Sequence, residues 1–535
     1  MDSLVTQAPT TVPAMLAAAN PDAVAVMAPE GEFTYAALDE ASGRVAAGLR
    51  RLGVGPGDRV AIWLPNIPAW LATFFACARL GAIAMAVNTR FRSSELADIL
   101  GRSGAKILVF WPAFKQIDFA GILADCDRDA LRHITTFVAY GQPAAGGAVG
   151  RTLFDRPVES YDSLAGSTPL PDVAGTGDSG CAIFTTSGTS NRPKFVLHDQ
   201  RTLVAHSRAV ARAKQVGPHS ATLLVPPLCG VFGLSTTLTA LAGGGRVLMS
   251  PVWNAEDDAE KIVRHGVTHM PASDTALTAL LKQPQAPLFG RTLRHVGYAC
   301  FSPGEADIID RADAVGLHLS GLYGSSELQA LLASADPDEP IDERRLGGGW
   351  LANPTSTVRA RDPESGRVLP HGETGELEFH APDSVMRGYF GNPEATAAAF
   401  TDDGWFRSGD LGYTRAANRF VYLARMGDVL RLGGYLVNPA EIEEVVQECD
   451  GVAECQVIGV TVGGELKPVA FVVARADTTI DEATVKGHAT RRLARHKVPL
   501  RVLVIDAFPV TMSANGTKIQ KAKLRELALA AIGTT

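Results

Sequence analysis

A stretch rich in hydroxyl groups, with one glycine and one lysine, lies in the first half of the chain. It runs from Phe184 to His198 and reads F-T-T-S-G-T-S-N-R-P-K-F-V-L-H. Glycine lets a backbone approach an anion closely, so that its N–H groups can point at one phosphate. The residues that could form such a cradle are Thr185, Thr186, Ser187, Gly188, Thr189, Ser190 and Lys194. The spacing differs from the G-x-x-x-x-G-K-S/T loop, and taken alone this composition is more typical of a solvated loop.

Three later stretches place single charged residues beside small or glycine residues. L-Y-G-S-S-E-L-Q carries Glu327 at the end of a predicted strand, where a carboxylate could hold Mg²⁺. G-W-F-R-S-G-D-L-G-Y sets Asp410 in a glycine turn, which suits a carboxylate that accepts both hydroxyls of a ribose. N-G-T-K-I-Q-K-A-K-L-R-E places Lys518 after another glycine turn. Each stretch also has a plain structural interpretation, as a surface turn or a solvated lysine.

The elements that must position these groups alternate between helix and strand. Thr34 is a predicted N-cap, and apolar residues continue at helical spacing to Leu52. A buried strand over 59–65 and a helix over 68–80 follow, and Gly81 closes that helix. A strand after this helix indicates a parallel α/β sheet.

The composition of the chain changes again between Tyr413 and Gly434, where a short polar stretch precedes a new α/β pattern. The predicted strands and helices beyond it are strands over 453–461 and 467–474 and helices over 439–449 and 481–496. Residues from about 426 onward could therefore form a small separate domain.

Composition excludes several classes of protein. The 535 residues carry a net charge of −7 and no long Lys/Arg run, which argues against a nucleic-acid partner. Seven scattered cysteines without a C-x-x-C pair indicate reduced core residues, and the first residues resemble no secretory signal. The apolar stretch 221–249 is punctuated by prolines and glycines and predicts a buried strand and helix rather than a membrane span. We therefore expect a cytoplasmic protein.

Taken in order, these stretches resemble the adenylate-forming superfamily of acyl-CoA synthetases, peptide-synthetase adenylation domains and luciferases. The resemblance runs from about Thr34 to Arg525 and is closest to AMP-forming acid–CoA ligases. Its six motifs are the phosphate loop, Y-G-x-S/T-E, G-W-F/Y-x-S/T-G-D, the segment at Arg425, G-Y-x-I/V-x-P-x-E-I-E and the terminal lysine. Each motif is weak alone, but six in family order are very specific.

The resemblance implies an α/β fold with two domains. A large N-terminal domain of packed α/β sheets would span 1–424, and a smaller, mobile α+β lid domain would span 425–535. ATP and a carboxylate would first give an acyl-adenylate and pyrophosphate, and a thiol would then take the acyl group. ATP, Mg²⁺ and coenzyme A are the implied cofactors.

The resemblance also implies roles for individual residues. Lys518, Glu327, Ser326 and Lys194 would be catalytic, with Glu327 as the metal ligand and Lys518 between the reacting carboxylate and the α-phosphate. The hydroxyl-rich stretch would bind the phosphates of ATP. The remaining nucleotide contacts would be Gly297, Tyr298, Ala299, Leu322, Tyr323, Gly324, Ser325, Ser326, Asp410, Tyr422 and Arg425.

The chain departs from the family pattern at several positions. Asn191 and Phe195 stand where glycines are usual, and Gly427 stands at the expected hinge in place of a charged residue. Glycine can still swing, so Gly427 is the predicted pivot of the lid. The predicted coenzyme A side of the lid comprises Arg431, Gly433, Gly434 and Tyr435.

The predicted acid pocket carries no charge over the segment 227–238. Its candidate lining residues are Cys229, Gly230, Phe232 and Gly233, with Tyr298 and Phe301 opposite. A buried substrate ammonium without a partner is costly, so we expect an uncharged tail, aromatic or medium-chain aliphatic, and poor use of amino acids.

Several alternatives stay open at this point. A stand-alone adenylation enzyme would load a carrier-protein phosphopantetheine instead of free coenzyme A. A luciferase-like oxygenase and an inactive nucleotide-binding relic are further rivals, although Glu327, Asp410, Arg425 and Lys518 together argue against a relic. The expected partners are a small carboxylic acid, ATP and coenzyme A, without nucleic acid or a membrane span. A homodimer is left open, and so is the identity of the acid.

Overall fold

A computed structural model describes residues 9–115, 117–141, 152–171, 173–186, 192–299, 307–432, 435–462, 465–513 and 516–533 of the chain. Every structural statement below concerns those residues.

The helices of the described residues are, in chain order, α1 Val12–Ala17, α2 Tyr35–Arg51, α3 Pro68–Leu80, α4 Ser93–Ser103, α5 Phe119–Ala124, α6 Tyr161–Ala165, α7 Gln200–Ala213, α8 Val231–Ala242, α9 Ala255–Arg264, α10 Asp274–Leu281, α11 Ala286–Phe289, α12 Ile308–Asp313, α13 Ile341–Arg344, α14 Pro393–Ala398, α15 Pro439–Gln447, α16 Glu482–Arg492 and α17 Lys521–Gly533.

The strands of the first half are β1 Val24–Ala28, β2 Gly31–Thr34, β3 Arg59–Trp63, β4 Ile83–Ala86, β5 Ile107–Phe110, β6 Ala113–Phe114, β7 Ile117–Asp118, β8 Thr136–Ala139, β9 Thr152–Leu153, β10 Arg156–Ser160, β11 Gly180–Thr185, β12 Phe195–Asp199, β13 Ala221–Leu223, β14 Arg246–Leu248 and β15 Ala272–Ser273. Those of the second half are β16 Val296–Ala299, β17 Leu319–Tyr323, β18 Ala333–Ser334, β19 Gly347–Leu351, β20 Thr357–Arg361, β21 Gly375–His380, β22 Gly388–Tyr389, β23 Phe406–Ala416, β24 Arg419–Arg425, β25 Leu430–Leu432, β26 Tyr435–Val437, β27 Val452–Val462, β28 Glu465–Ala474, β29 Arg501–Val504, β30 Val510–Ser513 and β31 Gly516–Ile519.

Three sheets organise the large N-terminal domain. Two of them have nine strands, in the orders β22-β12-β11-β4-β3-β5-β8-β10-β9 and β15-β16-β17-β18-β19-β24-β23-β21-β20, and a third has the order β13-β14-β1-β2. The smaller C-terminal domain contains the sheet β27-β28-β29 and the hairpins β25-β26 and β30-β31. The fold is therefore α/β with a large and a small domain, as the resemblance implied.

The first helices form for the reasons that the sequence indicates. The Thr34 side chain accepts a hydrogen bond from Ala37 N at 3.1 Å and starts α2. Helix α3 begins at Pro68 and stops at Gly81, whose φ of 66° suits the left-handed conformation that glycine tolerates. Strands β3, β4 and β5 pair in parallel, so the predicted parallel sheet is confirmed.

Apolar faces of these layers meet in contiguous cores. The largest lies beneath α2 and α3 and buries Trp70, Phe74 and Phe75 completely or almost so. A separate core fills the C-terminal domain between α15 and β27–β28, and includes Ile442 and Val457. Burial of such residues stabilises each domain by about 1.5–3 kcal/mol for each large side chain.

The predicted elements of the C-terminal domain are present with shifted ends. The strand predicted over 453–461 is β27, and the helix predicted over 439–449 is α15. The helix predicted over 481–496 ends earlier, at Arg492, because Leu493 is extended and a short 3-10 turn follows. Pro499 lies shortly beyond that turn and cannot continue a helix.

The apolar segment 221–249 folds as the buried strand β13, the helix α8 and the strand β14. Among the described helices, none has both the length and the apolar character needed to cross a bilayer. The six cysteines within the described ranges are buried and unpaired, as expected for core residues.

Candidate active site

The hydroxyl-rich stretch begins and ends on two antiparallel strands. Thr185 at the end of β11 pairs with Phe195 at the start of β12, and Thr186 N donates a hydrogen bond to Lys194 O at 3.0 Å. The two ends of the predicted phosphate loop are thereby fixed beside each other, where β11 ends and β12 begins. The central residues of that loop lie outside the described residues; they are Ser187, Gly188, Thr189, Ser190 and Asn191.

Tyr389 connects the predicted phosphate lysine with the predicted metal glutamate. Strand β22 pairs with β12, which places Tyr389 opposite Val196. The Tyr389 hydroxyl donates to Glu327 Oε1 at 2.9 Å, and Lys194 Nζ lies 4.6 Å from the centroid of its ring. Burial and the neighbouring Glu327 raise the pKa of Tyr389, so its hydroxyl stays protonated as a donor. Two residues far apart in sequence are thus held around one aromatic ring.

A short 3-10 turn, Ser326–Leu328, holds Glu327 in this position. The backbone carbonyl of Ser326 accepts a hydrogen bond from His198 Nε2 at 2.8 Å, and Met386 N donates to Glu327 O at 2.7 Å. Burial lowers the pKa of His198, which is 0% exposed, so the ring is neutral and carries its proton on Nε2. Strand β12 therefore anchors this turn through His198. The same strand begins at Phe195, directly after Lys194.

The two residues after this turn have a strained backbone. Gln329 and Ala330 both have positive φ, 56° and 62°, a conformation that costs a non-glycine residue free energy. Gln329 is 0% exposed, and its side-chain amide donates to Ser384 O at 3.1 Å. The surrounding contacts hold this geometry next to Glu327.

The predicted ribose residues, Asp410 and Arg425, occupy paired positions on β23 and β24. Arg425 Nε lies 3.1 Å from Asp410 Oδ1, and the Tyr323 hydroxyl donates to Asp410 Oδ2 at 2.5 Å. Oδ1 makes this ion pair but accepts no hydrogen bond within the described ranges, so it can still accept one from a ligand. Burial raises the pKa of Asp410 to about 6, although Arg425 and Tyr323 oppose that rise.

An aromatic cluster fixes the position of Tyr323. Its ring lies 5.5 Å from Phe379, 4.9 Å from Phe420 and 5.7 Å from Tyr422, measured between centroids. Tyr422 is thereby brought beside the Asp410 pair, as its predicted nucleotide contact requires. Gly324 follows Tyr323 where a Cβ would overlap the Ala330 carbonyl, so the chain can turn there only with glycine.

Strand β16 divides the predicted adenine residues between two faces. A Cβ at Gly297 would lie 2.7 Å from the Leu322 side chain, so that side chain packs directly on the Gly297 backbone. Tyr298 points the opposite way, because successive side chains of a strand alternate. It packs in the core with Val296 and Leu319, and its hydroxyl donates to Arg345 O at 3.3 Å. The predicted pocket role of the Tyr298 side chain stays a prediction, and Ala299 ends the strand.

The apolar pocket segment forms the start of α8. Gly230 is its N-cap residue, and a Cβ at Gly233 would overlap the Pro227 carbonyl. Phe232 packs against Val210 and Leu331 and lies next to Leu322, which joins this helix to the predicted nucleotide wall. Phe301 lies outside the described residues.

Cys229 lies just before this helix and is 6% exposed within the largest core. Burial raises the pKa of its thiol to about 11, so the side chain is a neutral apolar group and not a nucleophile.

The segment around Gly427 lies between β24 and the hairpin β25–β26. Asp428 N donates to Arg425 O at 2.9 Å, and Asp428 Oδ2 lies 3.0 Å from Lys521 Nζ. A Cβ at Gly427 would meet no atom within 4 Å. The hairpin β25–β26 follows and contains the backbones of Arg431 and Tyr435, whereas Gly433 and Gly434 lie outside the described residues.

Lys518 lies on the last hairpin of the chain. Its backbone pairs with Thr511 across β30 and β31.

Comparison with known protein families shows which family this chain belongs to. The profile of the AMP-binding enzyme family matches residues 15–390, and that of the AMP-binding enzyme C-terminal domain matches 441–515. The chain belongs to the AMP-binding enzyme family. The first matched region contains the hydroxyl-rich stretch and Y-G-S-S-E, and the resemblance read from the sequence is confirmed.

Similar proteins extend over nearly the whole chain. A feruloyl-CoA synthase of Amycolatopsis is 32% identical over 520 residues, covering 96% of this chain and 97% of that protein. A methyl-dioxo-octahydroindenyl-propanoyl:CoA ligase of Mycobacterium tuberculosis is 30% identical over 525 residues, covering 95% and 96%. The crystal structure of ATP-bound MatB from Rhodopseudomonas palustris superposes with a TM-score of 0.81 at 27% identity, covering 97% and 98%.

Two supporting residues of this AMP-binding enzyme escaped sequence analysis. Tyr389 stands in R-G-Y-F-G-N-P, where an aromatic between glycines has no spacing that points to Glu327. His198 ends the hydroxyl-rich stretch, but only the fold shows that it supports the Ser326 carbonyl.

Proposed function

We propose that this chain is an AMP-forming acid–CoA ligase, which activates a carboxylic acid with ATP and passes the acyl group to coenzyme A. The observation that carries the proposal is the buried Asp410, held between Arg425 and Tyr323, with Oδ1 ion-paired but accepting no hydrogen bond within the described residues. A carboxylate kept in this way suits the two hydroxyls of a ribose. The family membership and the CoA ligases among its relatives support the same reaction.

The chemistry of this reaction brings two anions together, a carboxylate and the α-phosphate. Positioning and charge neutralisation must therefore supply most of the catalysis. In the proposal, Lys194 and the loop hydroxyls bind the phosphates, Ser326 lies at the α-phosphate, and Lys518 bridges the reacting oxygens. The carboxylate oxygen forms a bond to phosphorus, and pyrophosphate leaves. The thiol of coenzyme A then attacks the acyl carbon, and AMP leaves with that oxygen.

Glu327 fits a magnesium ion that is carried in with ATP. Mg²⁺ is commonly bound by one or two protein carboxylates, substrate phosphates and water. Glu327 uses Oε1 for the Tyr389 hydroxyl, and it is half-buried beside Lys194. When bound, the ion would neutralise phosphate charge. Within the described residues no group of three or more His, Cys, Asp or Glu side chains could hold a metal independently of substrate.

The domain boundary at 424/425 and the pivot at Gly427 belong to the same proposal. In it, residues 1–424 bind ATP and the acid, and residues 425–535 form a lid that carries Lys518. Arg431, Gly433, Gly434 and Tyr435 would then face coenzyme A. A glycine pivot whose added Cβ would meet no neighbour within 4 Å is consistent with that motion.

Pyrophosphate release tests the adenylation step, and thioester formation tests the acceptor. Both are measured with aromatic, fatty and alicyclic acids, with and without coenzyme A, and with a phosphopantetheinylated carrier protein as the rival acceptor. We expect AMP, pyrophosphate and an acyl-CoA in equal amounts. Pyrophosphate release without an acyl-CoA, but with a loaded carrier protein, would favour the stand-alone adenylation enzyme.

The tail of the acid is tested separately with phenylpropanoate and phenylalanine. The uncharged pocket segment predicts a larger kcat/KM for phenylpropanoate, because an ammonium would be buried without a partner. Preference for phenylalanine would contradict this. A cytoplasmic location and a homodimer also stay predictions, which cell fractionation and analytical ultracentrifugation can check.

A further inference from the structure

A small cavity continues from the predicted nucleotide wall into the large domain. It has a volume of about 50 Å³ and lies between α7, α8 and the sheet strands β16 and β17. Its wall includes Val210, Lys214, Thr239, Gly297, Ser320 and Leu322. Because Gly297 and Leu322 also stand at the predicted adenine site, this cavity is in the right place for the tail of the activated acid.

Lys214 directly follows α7, and it lines this cavity. Its Nζ contacts the Ser334 hydroxyl, and within the described part of the chain no carboxylate forms an ion pair with it. Burial lowers the pKa of Lys214 to about 8, with Asp336 opposing that shift. This half-buried ammonium has a hydroxyl in contact and, among the described residues, no carboxylate within ion-pair distance, so it can pair with an anionic ligand.

Two hydroxyls in the same wall also lack partners. Ser320 Oγ and Thr239 Oγ1 are buried, on residues 4% and 6% exposed, and neither has a hydrogen bond within the described residues. Ser320 lies on β17 two residues before Leu322, so alternation along the strand turns both towards the cavity. Buried hydroxyls are normally satisfied, so these two point to an oxygen-bearing ligand.

Two histidines, His269 and His295, also line the cavity, but both are uncharged, so Lys214 is the cation of its described wall. His269 and His295 stack with ring centroids 5.1 Å apart, and burial lowers the pKa of both, that of His295 to about 4. His269 Nε2 bonds to Lys214 O at 2.8 Å, which fixes the backbone that carries the lysine. Neutral imidazoles do not compete with the ammonium for an anion.

We propose that Lys214 is a specificity-determining residue, which pairs with a carboxylate at the far end of the acid while Ser320 and Thr239 hydrogen-bond to the same end. The substrate is then a short dicarboxylic acid, activated at one end and recognised at the other. This inference rests on the proposed ligase function, and it replaces the expectation of an uncharged tail. It keeps the expectation against amino acids, because a second ammonium would be repelled by Lys214.

A second, wider cleft lies on the other side of Lys214. It has a volume of about 480 Å³ and shares Lys214, His295 and Ser334 with the inner cavity. These three residues therefore form the partition that limits the length of the acid. Two variants separate the effect of the charge from that of the partition. Lys214→Met removes the charge and keeps the length of the side chain, whereas Lys214→Ala removes both.

The test compares acids of equal carbon number, with one or two carboxylates: succinate with butanoate, glutarate with pentanoate, and adipate with hexanoate. Initial rates of pyrophosphate release give kcat/KM for each. We expect the diacid to be preferred by about 10-fold or more in at least one pair. Lys214→Met should abolish that preference while butanoate, pentanoate or hexanoate is still activated, which shows that the variant folds. Lys214→Gln serves the same purpose if the methionine variant does not fold.

Arg212→Met is the matched control, because Arg212 is exposed at the end of the same helix and its loss removes the same charge. This control variant should leave the ratio of kcat/KM for diacid to monoacid unchanged in all three pairs. A wild-type preference for the monoacid in all three pairs, or a diacid preference that survives Lys214→Met, would overturn the inference.

Calorimetric titration of the same acids in the presence of AMP separates this inference from the ligase proposal. We expect the preferred diacid to bind wild type and the Arg212→Met control at least about 10-fold more tightly than it binds Lys214→Met. Turnover of monoacids without diacid binding overturns the role of Lys214 and leaves the ligase intact. Diacid binding that depends on Lys214, without pyrophosphate release from any acid, would support the subsite and contradict the ligase.

Discussion

Asp410 and Arg425 face each other on neighbouring antiparallel strands, with Arg425 Nε 3.1 Å from Asp410 Oδ1. The pair is asymmetric in its surroundings, because the aspartate is 2% exposed and the arginine side chain is 52% exposed. The arginine can therefore turn towards a ligand while the carboxylate stays in place. Arg425 ends β24, so the arginine of the predicted ribose pair lies two residues before Gly427, the predicted pivot.

The pH dependence of ATP binding follows from this pair. Burial raises the pKa of Asp410 from 3.8 to about 6, and Glu327 and Glu376 add to the rise, so the carboxylate is ionised only above that pH. An ionised carboxylate accepts ribose hydroxyls more strongly than a protonated one. We expect the KM for ATP to fall as the pH rises through about 6. In Asp410→Asn the KM should be raised about 10- to 100-fold and lose this pH dependence.

The same raised pKa affects stability with a definite sign. Between about pH 4 and pH 6 the native protein binds more protons than the unfolded chain, so the free energy of unfolding falls as the pH rises. That fall is complete once Asp410 is ionised in the native state. Urea unfolding at several pH values should show a smaller fall for Asp410→Asn. An equal fall in the free energy of unfolding in wild type and Asp410→Asn would show that other titrating groups cause it.

Tyr389→Phe removes one hydroxyl and keeps the ring beside Lys194. We expect the rate of adenylate formation to fall about 10-fold, because Glu327 loses the hydrogen bond that positions it. The concentration of Mg²⁺ needed for half-maximal rate should rise as well. Tyr413→Phe changes another tyrosine of the same domain and is the control. A fall in rate without any change in the Mg²⁺ requirement would contradict the positioning of Glu327 by Tyr389.

Lys518→Ala should stop adenylate formation and leave ATP binding largely unchanged. A cation placed on the developing charge is expected to lower the barrier by roughly 3 kcal/mol or more. Transfer from a supplied acyl-adenylate to coenzyme A should survive, since this lysine acts in the first half-reaction. Lys523→Ala, at an exposed lysine of α17, is the control. Equal loss of both half-reactions would contradict the assigned role.

Gly427→Pro should separate the rates of the two half-reactions. Proline fixes φ, so the lid would be held in one orientation and one step would slow far more than the other. Gly427→Ala is the matched control, because its Cβ would meet no atom within 4 Å in this conformation. Unchanged rates for both steps in the proline variant would show that the motion pivots elsewhere.

Local signals predicted much of the scaffold. The N-cap at Thr34, the proline at Pro68 and the glycine at Gly81 define helix ends by local hydrogen bonding and backbone geometry. The sequence predicts a helix that ends at His496, but α16 ends at Arg492. The helical spacing of apolar residues continues past Arg492, whereas the backbone becomes extended at Leu493. Local pattern therefore predicts the existence of an element better than its boundary.

The candidate site was predictable only where its residues lie in recognisable motifs. Asp410 and Glu327 stand in such motifs. The fold pairs Asp410 with Arg425, which the resemblance also assigns to the ribose, whereas the Tyr389 partner of Glu327 stands in no such motif. The orientation of Tyr298 could not be predicted from a motif, because only the alternation along β16 shows that its side chain faces away from Gly297 and packs in the core. Lys214 stands in no motif, and its contact with Ser334 of β18 is made only in the fold.

Transfer of isotope from the acid to AMP tests the central claim most directly. With both carboxylate oxygens of the acid labelled with oxygen-18, the account predicts that AMP gains one labelled oxygen in each turnover, and that the acyl-CoA keeps the other. Mass spectrometry of both products measures this. Label in inorganic phosphate with formation of ADP, or AMP without label beside acyl-CoA, would contradict an acyl-adenylate intermediate.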